Sequence, residues 1–274
     1  MGSAPIDIDP ANILFAVLIG LGSIACIAGL LLFVVSPSLD ADLARRSAFA
    51  PQTLAGGLAL AVVLGALLAT PVYLFTTRDD DVLRRSIALL AGQTALLTVL
   101  VIRVIRPGVL TWDDLGLNAV ALDRRIWQGV IGGLAILALS VSATQALQEV
   151  GVAPTQYTEF MPVAQAGPTQ FAGFFLLAVV VAPACEELFF RGWMFTALRH
   201  RYARWVAYCG SGAVFAAIHL NVQALAPIAA MALILAFLYD RTRSVIPSMV
   251  AHGLNNAVML ASLYWLSGGS SGRG

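Results

Sequence analysis

The chain has 274 residues, of which 59% are hydrophobic and 11% are charged, and its formal net charge is +1. A soluble globular domain typically carries about 25% charged residues, so this composition indicates a membrane protein. Nucleic-acid binding requires a concentrated basic surface, which scattered arginines and a net charge of +1 do not supply. We therefore expect the lipid bilayer and membrane-resident or apolar molecules as partners.

Apolar runs of about 20 residues, the length that spans a bilayer as a helix, predict about eight transmembrane helices. The first four runs are rich in Leu, Ala, Val and Gly and contain almost no ionisable side chain. The last four carry carboxylates, histidines and asparagines, and two of them are short enough to be broken or tilted. The predicted spans are 12–36, 54–77, 86–105, 127–147, 170–198, 204–220, 223–239 and 246–266.

The connections between these spans are mostly short, so we expect an all-α polytopic transmembrane bundle that forms one integrated membrane domain. Its N-terminal part, 1–169, contains the apolar spans and a loop segment. Its functional core is expected in the last four spans, within 170–266, and 267–274 reads as a flexible tail.

Two connecting segments carry local signals. The segment 107–126 is expected to hold a short interfacial helix with Thr111 as its N-cap, and 149–169, which contains prolines and no arginine, is expected to be a loop. Most loop arginines lie on one predicted side of the membrane. The positive-inside rule places that side in the cytoplasm and both termini outside.

Two adjacent carboxylates, Glu186 and Glu187, follow the apolar run 171–185 and lie where the chain should be inside the bilayer. A charge near the bilayer centre costs roughly 2.5–3.5 kcal/mol on insertion scales and usually marks function. Arg191 follows Glu187 by four residues on the same helical face, so this pair can simply hold helices together. Glu186 lacks such a partner in its own segment, so another helix must supply one. Pro183 predicts a kink or an opened backbone just before the pair.

Two histidines lie on later predicted spans. His219 ends the apolar run 215–219, and His252 lies four residues before Asn256, so the last two side chains point the same way along a helix. Either histidine alone is typical of a hydrogen-bonded residue at the membrane interface. The chain has only three histidines, and two of them beside two carboxylates of a third helix indicate a reactive site.

Such a set of side chains allows several hydrolytic chemistries. Zinc could bind Glu186, His219 and His252 with water as the fourth ligand, although a His-Glu-x-x-His helix is lacking. Without a metal, a glutamate takes a proton from a water that attacks a peptide carbonyl, while a histidine and an asparagine donate to the oxyanion. We favour this metal-free chemistry and expect no cofactor. A nucleophilic Ser211 would leave both glutamates without a role, and Asp240 lies among arginines, so serine and aspartyl mechanisms are disfavoured.

Three short motifs follow one another on successive predicted helices. They are Glu186-Glu187-x-x-x-Arg191, Phe215-x-x-x-His219 and His252-x-x-x-Asn256. This order resembles the CPBP family, which comprises CAAX proteases and bacteriocin-processing enzymes. The resemblance covers 170–266 and marks it as a catalytic core, and the upstream segment 114–117 is also similar to one often found in this family.

The resemblance implies roles for individual residues. It implies that Glu186 is the base that activates the attacking water, helped by His219. It further implies that His252 and Asn256 stabilise the oxyanion. If one residue carries the chemistry, the sequence favours Glu186.

The resemblance also implies supporting or secondary catalytic roles for Glu187 and Arg191, and it leaves metal dependence open. We expect a multi-pass protein of a bacterial or archaeal cell membrane that hydrolyses a peptide bond of a membrane-associated, prenylated or otherwise lipidated protein or peptide. The alternative is a non-catalytic membrane scaffold or a bacteriocin-immunity-type protein of the same fold. A proton-coupled transporter is disfavoured because the polar residues cluster in one half of the chain.

Overall fold

The computed structural model describes residues 50–75, 81–117, 120–149, 151 and 155–268, and the first predicted span, 12–36, lies outside them. Every regular element in these residues is a helix, which confirms the predicted all-α membrane bundle. In chain order the helices are α1 (Pro51–Phe75), α2 (Asp81–Ile105), α3 (Leu122–Glu149), α4 (Thr155–Ala164), α5 (Pro168–Arg201), α6 (Arg204–Ala217), α7 (Leu225–Thr242) and α8 (Val245–Leu266).

Five helices of the described residues, α1, α2, α3, α5 and α7, are long and apolar enough to cross a bilayer. α6 has 14 residues. A helix of that length rises only about 21 Å, against about 30 Å for the hydrocarbon core. α8 has 22 residues, but His252, Asn255 and Asn256 reduce its hydropathy. Both segments are helices as predicted, while the number of spans stays a prediction.

The segment that follows α2 forms a single turn where we predicted a short interfacial helix. Thr111 Oγ1 accepts a hydrogen bond from the backbone N–H of Asp114 at 3.2 Å, as an N-cap does. Gly116 then ends the turn with a φ of 80°. A Cβ on Gly116 would lie 2.6 Å from the Cα of Ser244, whose hydroxyl donates to the Gly116 carbonyl oxygen at 2.8 Å. The turn is therefore held by the connection between α7 and α8.

α4 occupies part of the segment 149–169 that we predicted as a loop. Pro162 lies inside this helix, where it removes one backbone hydrogen bond. Tertiary contacts hold the helix at two points. Glu159 Oε2 accepts a hydrogen bond from Asn221 Nδ2 at 3.0 Å, and Ser267 Oγ donates to the backbone carbonyl of the last α4 residue at 3.0 Å.

α5 changes its winding on both sides of the glutamate pair. The segments Leu177–Val181 and Leu188–Phe195 are π-helical, and Ala182–Glu187 between them is α-helical. A π turn adds a residue to the helical turn, and such turns are frequent at functional sites. Pro183, which we predicted to disturb this helix, is the second residue of the α-helical stretch that follows the first π segment.

α5 lies at the centre of the described bundle. α2 packs along its length, α8 packs against the portion that carries the glutamates, and α6 and α7 pack against its C-terminal portion. On α1, a Cβ at Gly57 would lie 2.5 Å from the ring of Trp193, so this helix also approaches α5 closely. The glutamate pair is consequently enclosed between α2 and α8, within a core whose largest buried side chains include Phe189, Phe190, Trp193 and Phe195.

Candidate active site

Glu187 is fully buried at the centre of a polar cluster between α5 and α8. Its Oε1 accepts a hydrogen bond from Arg191 Nη1 at 2.8 Å and another from His252 Nδ1 at 3.0 Å. Arg191 is 1% exposed and also donates through Nη2 to the Ala232 carbonyl oxygen of α7 at 3.3 Å. The predicted ion pair within α5 is thus confirmed, and it joins this helix to α7 and α8.

Glu186, the neighbouring carboxylate, faces different partners. Its Oε1 accepts a hydrogen bond from Gln93 Nε2 of α2 at 2.9 Å. Its Oε2 lies 3.9 Å from His252 Nε2, which is too long for a direct hydrogen bond. The expectation that other helices must supply partners for Glu186 is confirmed. Glu186 is also the more accessible of the pair, because its side chain is 11% exposed and that of Glu187 is 0% exposed.

The charges of this cluster must balance because the groups are buried. Glu187 and Arg191 neutralise each other across their 2.8 Å contact. Glu186 and His252 remain as an acid and a base whose facing atoms lie 3.9 Å apart, close enough for one water to bridge them.

His219 lies outside this cluster. Its backbone N–H bonds to the Ala216 carbonyl oxygen, which leaves the Phe215 carbonyl oxygen without that backbone donor. The ring Nδ1 of His219 donates to the Phe215 carbonyl oxygen instead, at 2.8 Å. Its ring also packs on Phe215, with 4.9 Å between centroids, and the Phe215 ring lies 5.8 Å from that of His252. Within the described part of the chain, no ion pair joins His219 to Glu186. The ring of Phe215 thus separates His219 from the cluster, and His219 is exposed just beyond the end of α6.

Asn256 donates a hydrogen bond to the Ala178 carbonyl group, which Pro183 leaves without a backbone donor. In the first π segment the Ala182 N–H bonds to the Leu177 carbonyl oxygen, so the next step of that ladder would join residue 183 to the Ala178 carbonyl. Proline has no N–H. Asn256 Nδ2 donates to the Ala178 carbonyl oxygen instead, at 2.9 Å. This bond fixes the orientation of the Asn256 amide, which keeps a second N–H for another acceptor.

Gly253 allows α8 to approach the π segment closely enough for that contact. A Cβ at this position would lie 2.6 Å from the Val179 carbonyl oxygen. Any larger residue would push α8 away from α5, and with it His252 and Asn256. The sequence analysis did not assign this glycine, although a glycine beside a candidate histidine inside a helix is a signal of close packing.

Gln93 is the other functional candidate that the sequence analysis missed. It lies in the predicted span 86–105, which we set aside because that run contains almost no ionisable group. The side chain is buried and hydrogen-bonded to Glu186. A polar amide in the middle of an apolar membrane helix is itself a signal, because such groups face the interior of the bundle and seek partners on other helices.

The residues of the zinc alternative do not converge. His219 lies beyond the Phe215 ring, away from Glu186 and His252. Across the residues that the structure describes, no group of three or more His, Cys, Asp or Glu side chains is placed to hold a metal ion. The set Glu186, His219 and His252 therefore does not fit a metal in this arrangement.

Comparison with known families gives one match. Residues 168–258, from the start of α5 into α8, match the family described as type II CAAX prenyl endopeptidase Rce1-like. The resemblance to the CAAX proteases is thereby confirmed. No curated protein and no solved structure matches the chain. The Rce1-like match supports a CAAX-type protease in general, and together with the five apolar helices it identifies an integral membrane protein.

Proposed function

We propose that this protein is a glutamate-dependent intramembrane endopeptidase that acts on prenylated or otherwise lipidated proteins or peptides in a bacterial or archaeal cell membrane. The observation that carries the proposal is the Glu186–His252 pair. These two groups can share a proton, lie 3.9 Å apart and belong to the segment that matches the Rce1-like family. A buried acid–base pair of this kind is suited to proton transfer during hydrolysis.

In the first step Glu186 acts as the base. A water that donates to Glu186 Oε2 lies beside His252 Nε2, since the separation of these atoms admits one bridging molecule. Glu186 takes a proton from the water, whose oxygen forms a bond to the carbonyl carbon of the scissile peptide. The carbonyl oxygen becomes an oxyanion and needs hydrogen-bond donors.

His252 and Asn256 supply those donors. His252 donates to Glu187 through Nδ1, so a second proton on Nε2 can point toward the oxyanion, and the Glu187 carboxylate offsets the positive charge of the ring. The free N–H of Asn256 is the second donor. Glu187 and Arg191 support the reaction by fixing the orientation of His252.

The collapse of the intermediate returns the proton. The carbon–nitrogen bond of the peptide breaks, and Glu186 gives the proton that it took from water to the leaving amine nitrogen. The products are a carboxylic acid, which keeps the second proton of the water until it releases it to solvent, and an amine, and Glu186 is ionised again. The residues of the site can therefore supply each proton transfer of the hydrolysis.

His219 has a separate part in the proposal. Because its Nδ1 carries the hydrogen donated to the Phe215 carbonyl, its Nε2 is left as an acceptor. At its exposed position Nε2 can bind and orient water that enters toward Glu186. His219 then keeps the helping role that the family resemblance implies, but it acts from outside the polar cluster that contains Glu186.

The test is cleavage of a quenched, prenylated CAAX peptide by purified protein in lipid nanodiscs. In Glu186→Gln, Gln93 can still donate to the amide oxygen, so the fold should persist while the rate falls by about 10²-fold or more. Glu149→Gln changes an exposed glutamate at the end of α3 and should cleave at the wild-type rate. Retained cleavage in Glu186→Gln would overturn the mechanism.

The same assay tests the metal and substrate proposals. Activity should survive a strong chelator, and a loss that added zinc restores would contradict the metal-free mechanism. A peptide without its lipid should be cleaved less efficiently than the prenylated one. If wild-type protein turns over no membrane peptide, with or without a lipid, the non-catalytic alternative is favoured.

A further inference from the structure

Gln93 has a hydrogen-bonding capacity that packing does not explain. It is buried on α2, and its Nε2 donates to Glu186 Oε1 at 2.9 Å. Its other polar atom, Oε1, is also buried and accepts no hydrogen bond from any described residue. Burial of an acceptor without a donor costs free energy, which an apolar side chain of the same size would avoid. The position is therefore better explained by its contact with Glu186 than by core packing.

The contact with Gln93 gives the two carboxylate oxygens of Glu186 different neighbours. Oε1 is held by Gln93, and Oε2 is left toward His252 Nε2. Without the amide, rotation of the carboxylate would exchange the two oxygens. We propose that Gln93 is a positioning residue that holds Glu186 with one oxygen directed at His252 and the attacking water. This inference rests on the proposed function of Glu186 as the base.

Gln93 can hold Glu186 before and after the base takes a proton. When Glu186 is ionised, the amide N–H donates to Oε1. The proton taken from water is on Oε2, so Oε1 is then the carbonyl oxygen of the acid and still accepts from the same N–H. A methionine lacks this donor, and so does an ionised glutamate. The glutamine therefore keeps Oε1 paired through the whole reaction cycle.

Other groups near Glu186 do not duplicate this role. The titratable groups that face it are His252 on α8 and, on α5 itself, Cys185, Glu187 and Arg191. In the described residues of α2, Gln93 is the polar side chain in contact with Glu186, and it carries no charge. Removal of Gln93 should therefore free the Glu186 carboxylate to rotate, without removal of a counter-ion.

The test compares Gln93→Met with Gln93→Glu and a packing control. In Gln93→Met we expect kcat to fall by about 10-fold, with KM unchanged within about twofold, because the amide acts on the base and not on substrate binding. Gln93→Glu keeps the side-chain size but replaces the donor N–H with a carboxylate oxygen beside Glu186 Oε1, so its kcat should fall at least as far, again with KM within about twofold of wild type.

Val99→Ala is the control, because Val99 is buried on the same helix and a cavity there tests packing alone. It should lower thermal stability and leave kcat within about twofold of wild type. A wild-type kcat in both Gln93 variants, or a loss of kcat in Val99→Ala as large as theirs, would overturn the positioning role. That result differs from failure of the proposed function itself, which would appear as retained cleavage in Glu186→Gln whatever the Gln93 variants do.

Discussion

Two carboxylate sites of the described structure differ in how much positive charge surrounds them. Asp240, near the end of α7, has a side chain that is 5% exposed and lies within 4.0 Å of Arg199, Arg204 and Arg243. Tyr208 also donates to it at 3.3 Å. The side chains of Arg204 and Arg243 are 69% and 65% exposed. Asp240 thus has more counter-charge than it needs, in contact with water, where helix ends meet.

The glutamate pair has less counter-charge than it needs. Glu187 is paired with one arginine that is 1% exposed, and Glu186 has a neutral amide and a histidine at 3.9 Å. The arginines around Asp240 lie on α5, on α6 and just beyond α7, so that site is suited to holding helix ends together. In the proposed function Glu186, which faces a histidine with little counter-charge around it, is the group that transfers a proton.

The largest effect on stability is expected when the glutamate cluster loses Arg191. Arg191→Met leaves Glu187 buried without a counter-ion, and removal of one partner of a buried pair costs about 3–5 kcal/mol. Denaturant unfolding in detergent should show this loss. The double variant Glu187→Gln with Arg191→Met should recover part of it. A loss below about 1 kcal/mol would show that this pair behaves like a surface ion pair.

The next effect concerns the oxyanion donor. Asn256→Ala should reduce kcat by about 10²-fold or more, because removal of one oxyanion donor has that effect in other hydrolases. Ser262→Ala is the control on the same helix, because Ser262 is exposed, and it should retain most of the wild-type kcat. Equal kcat losses in the two variants would show that Asn256 acts through the packing of α8 alone.

A smaller effect is expected from closer packing of α8 on α5. In Gly253→Ala the new Cβ meets the Val179 carbonyl oxygen, and overpacking of this kind costs about 1–3 kcal/mol. The displaced helix carries His252 and Asn256, so kcat should fall as well as stability. At Gly173 an added Cβ meets no atom within 4 Å. Gly173→Ala should therefore leave kcat unchanged, and a wild-type kcat in Gly253→Ala would contradict the close approach.

The smallest effect is expected at Asp240. Arg204→Gln removes one exposed arginine of several, and an exposed ion pair contributes about 0–1 kcal/mol. Thermal unfolding should change little, and cleavage should stay within about twofold of wild type. A loss as large as that of Arg191→Met would remove the distinction between the two carboxylate sites.

The parts that the sequence predicted correctly depend on neighbours along the chain. Apolar runs gave the helices, and the four-residue spacing of Glu187 and Arg191 gave their ion pair. Such features follow from helical periodicity alone. The Rce1-like match covers the same segment in which the three motifs lie.

The parts that could not be predicted depend on how helices pack. Gln93 is 93 residues away from Glu186 in the chain, so no local pattern joins them. His219 is separated from the cluster by the ring of Phe215, a placement that the packing of α6 decides. The helix around Pro162 forms in a segment that reads as a loop, because contacts with other segments outweigh its weak propensity.

The most direct measurement is kcat and unfolding free energy for Glu186→Gln and Glu187→Gln, determined side by side on the prenylated peptide. The account predicts that Glu186→Gln loses about 10²-fold or more in kcat with stability close to wild type. It predicts that Glu187→Gln loses about 3 kcal/mol or more in stability, since Arg191 loses its buried counter-ion, while its folded protein retains more activity than Glu186→Gln. The opposite pattern, with an active Glu186→Gln and a stable, inactive Glu187→Gln, would contradict it.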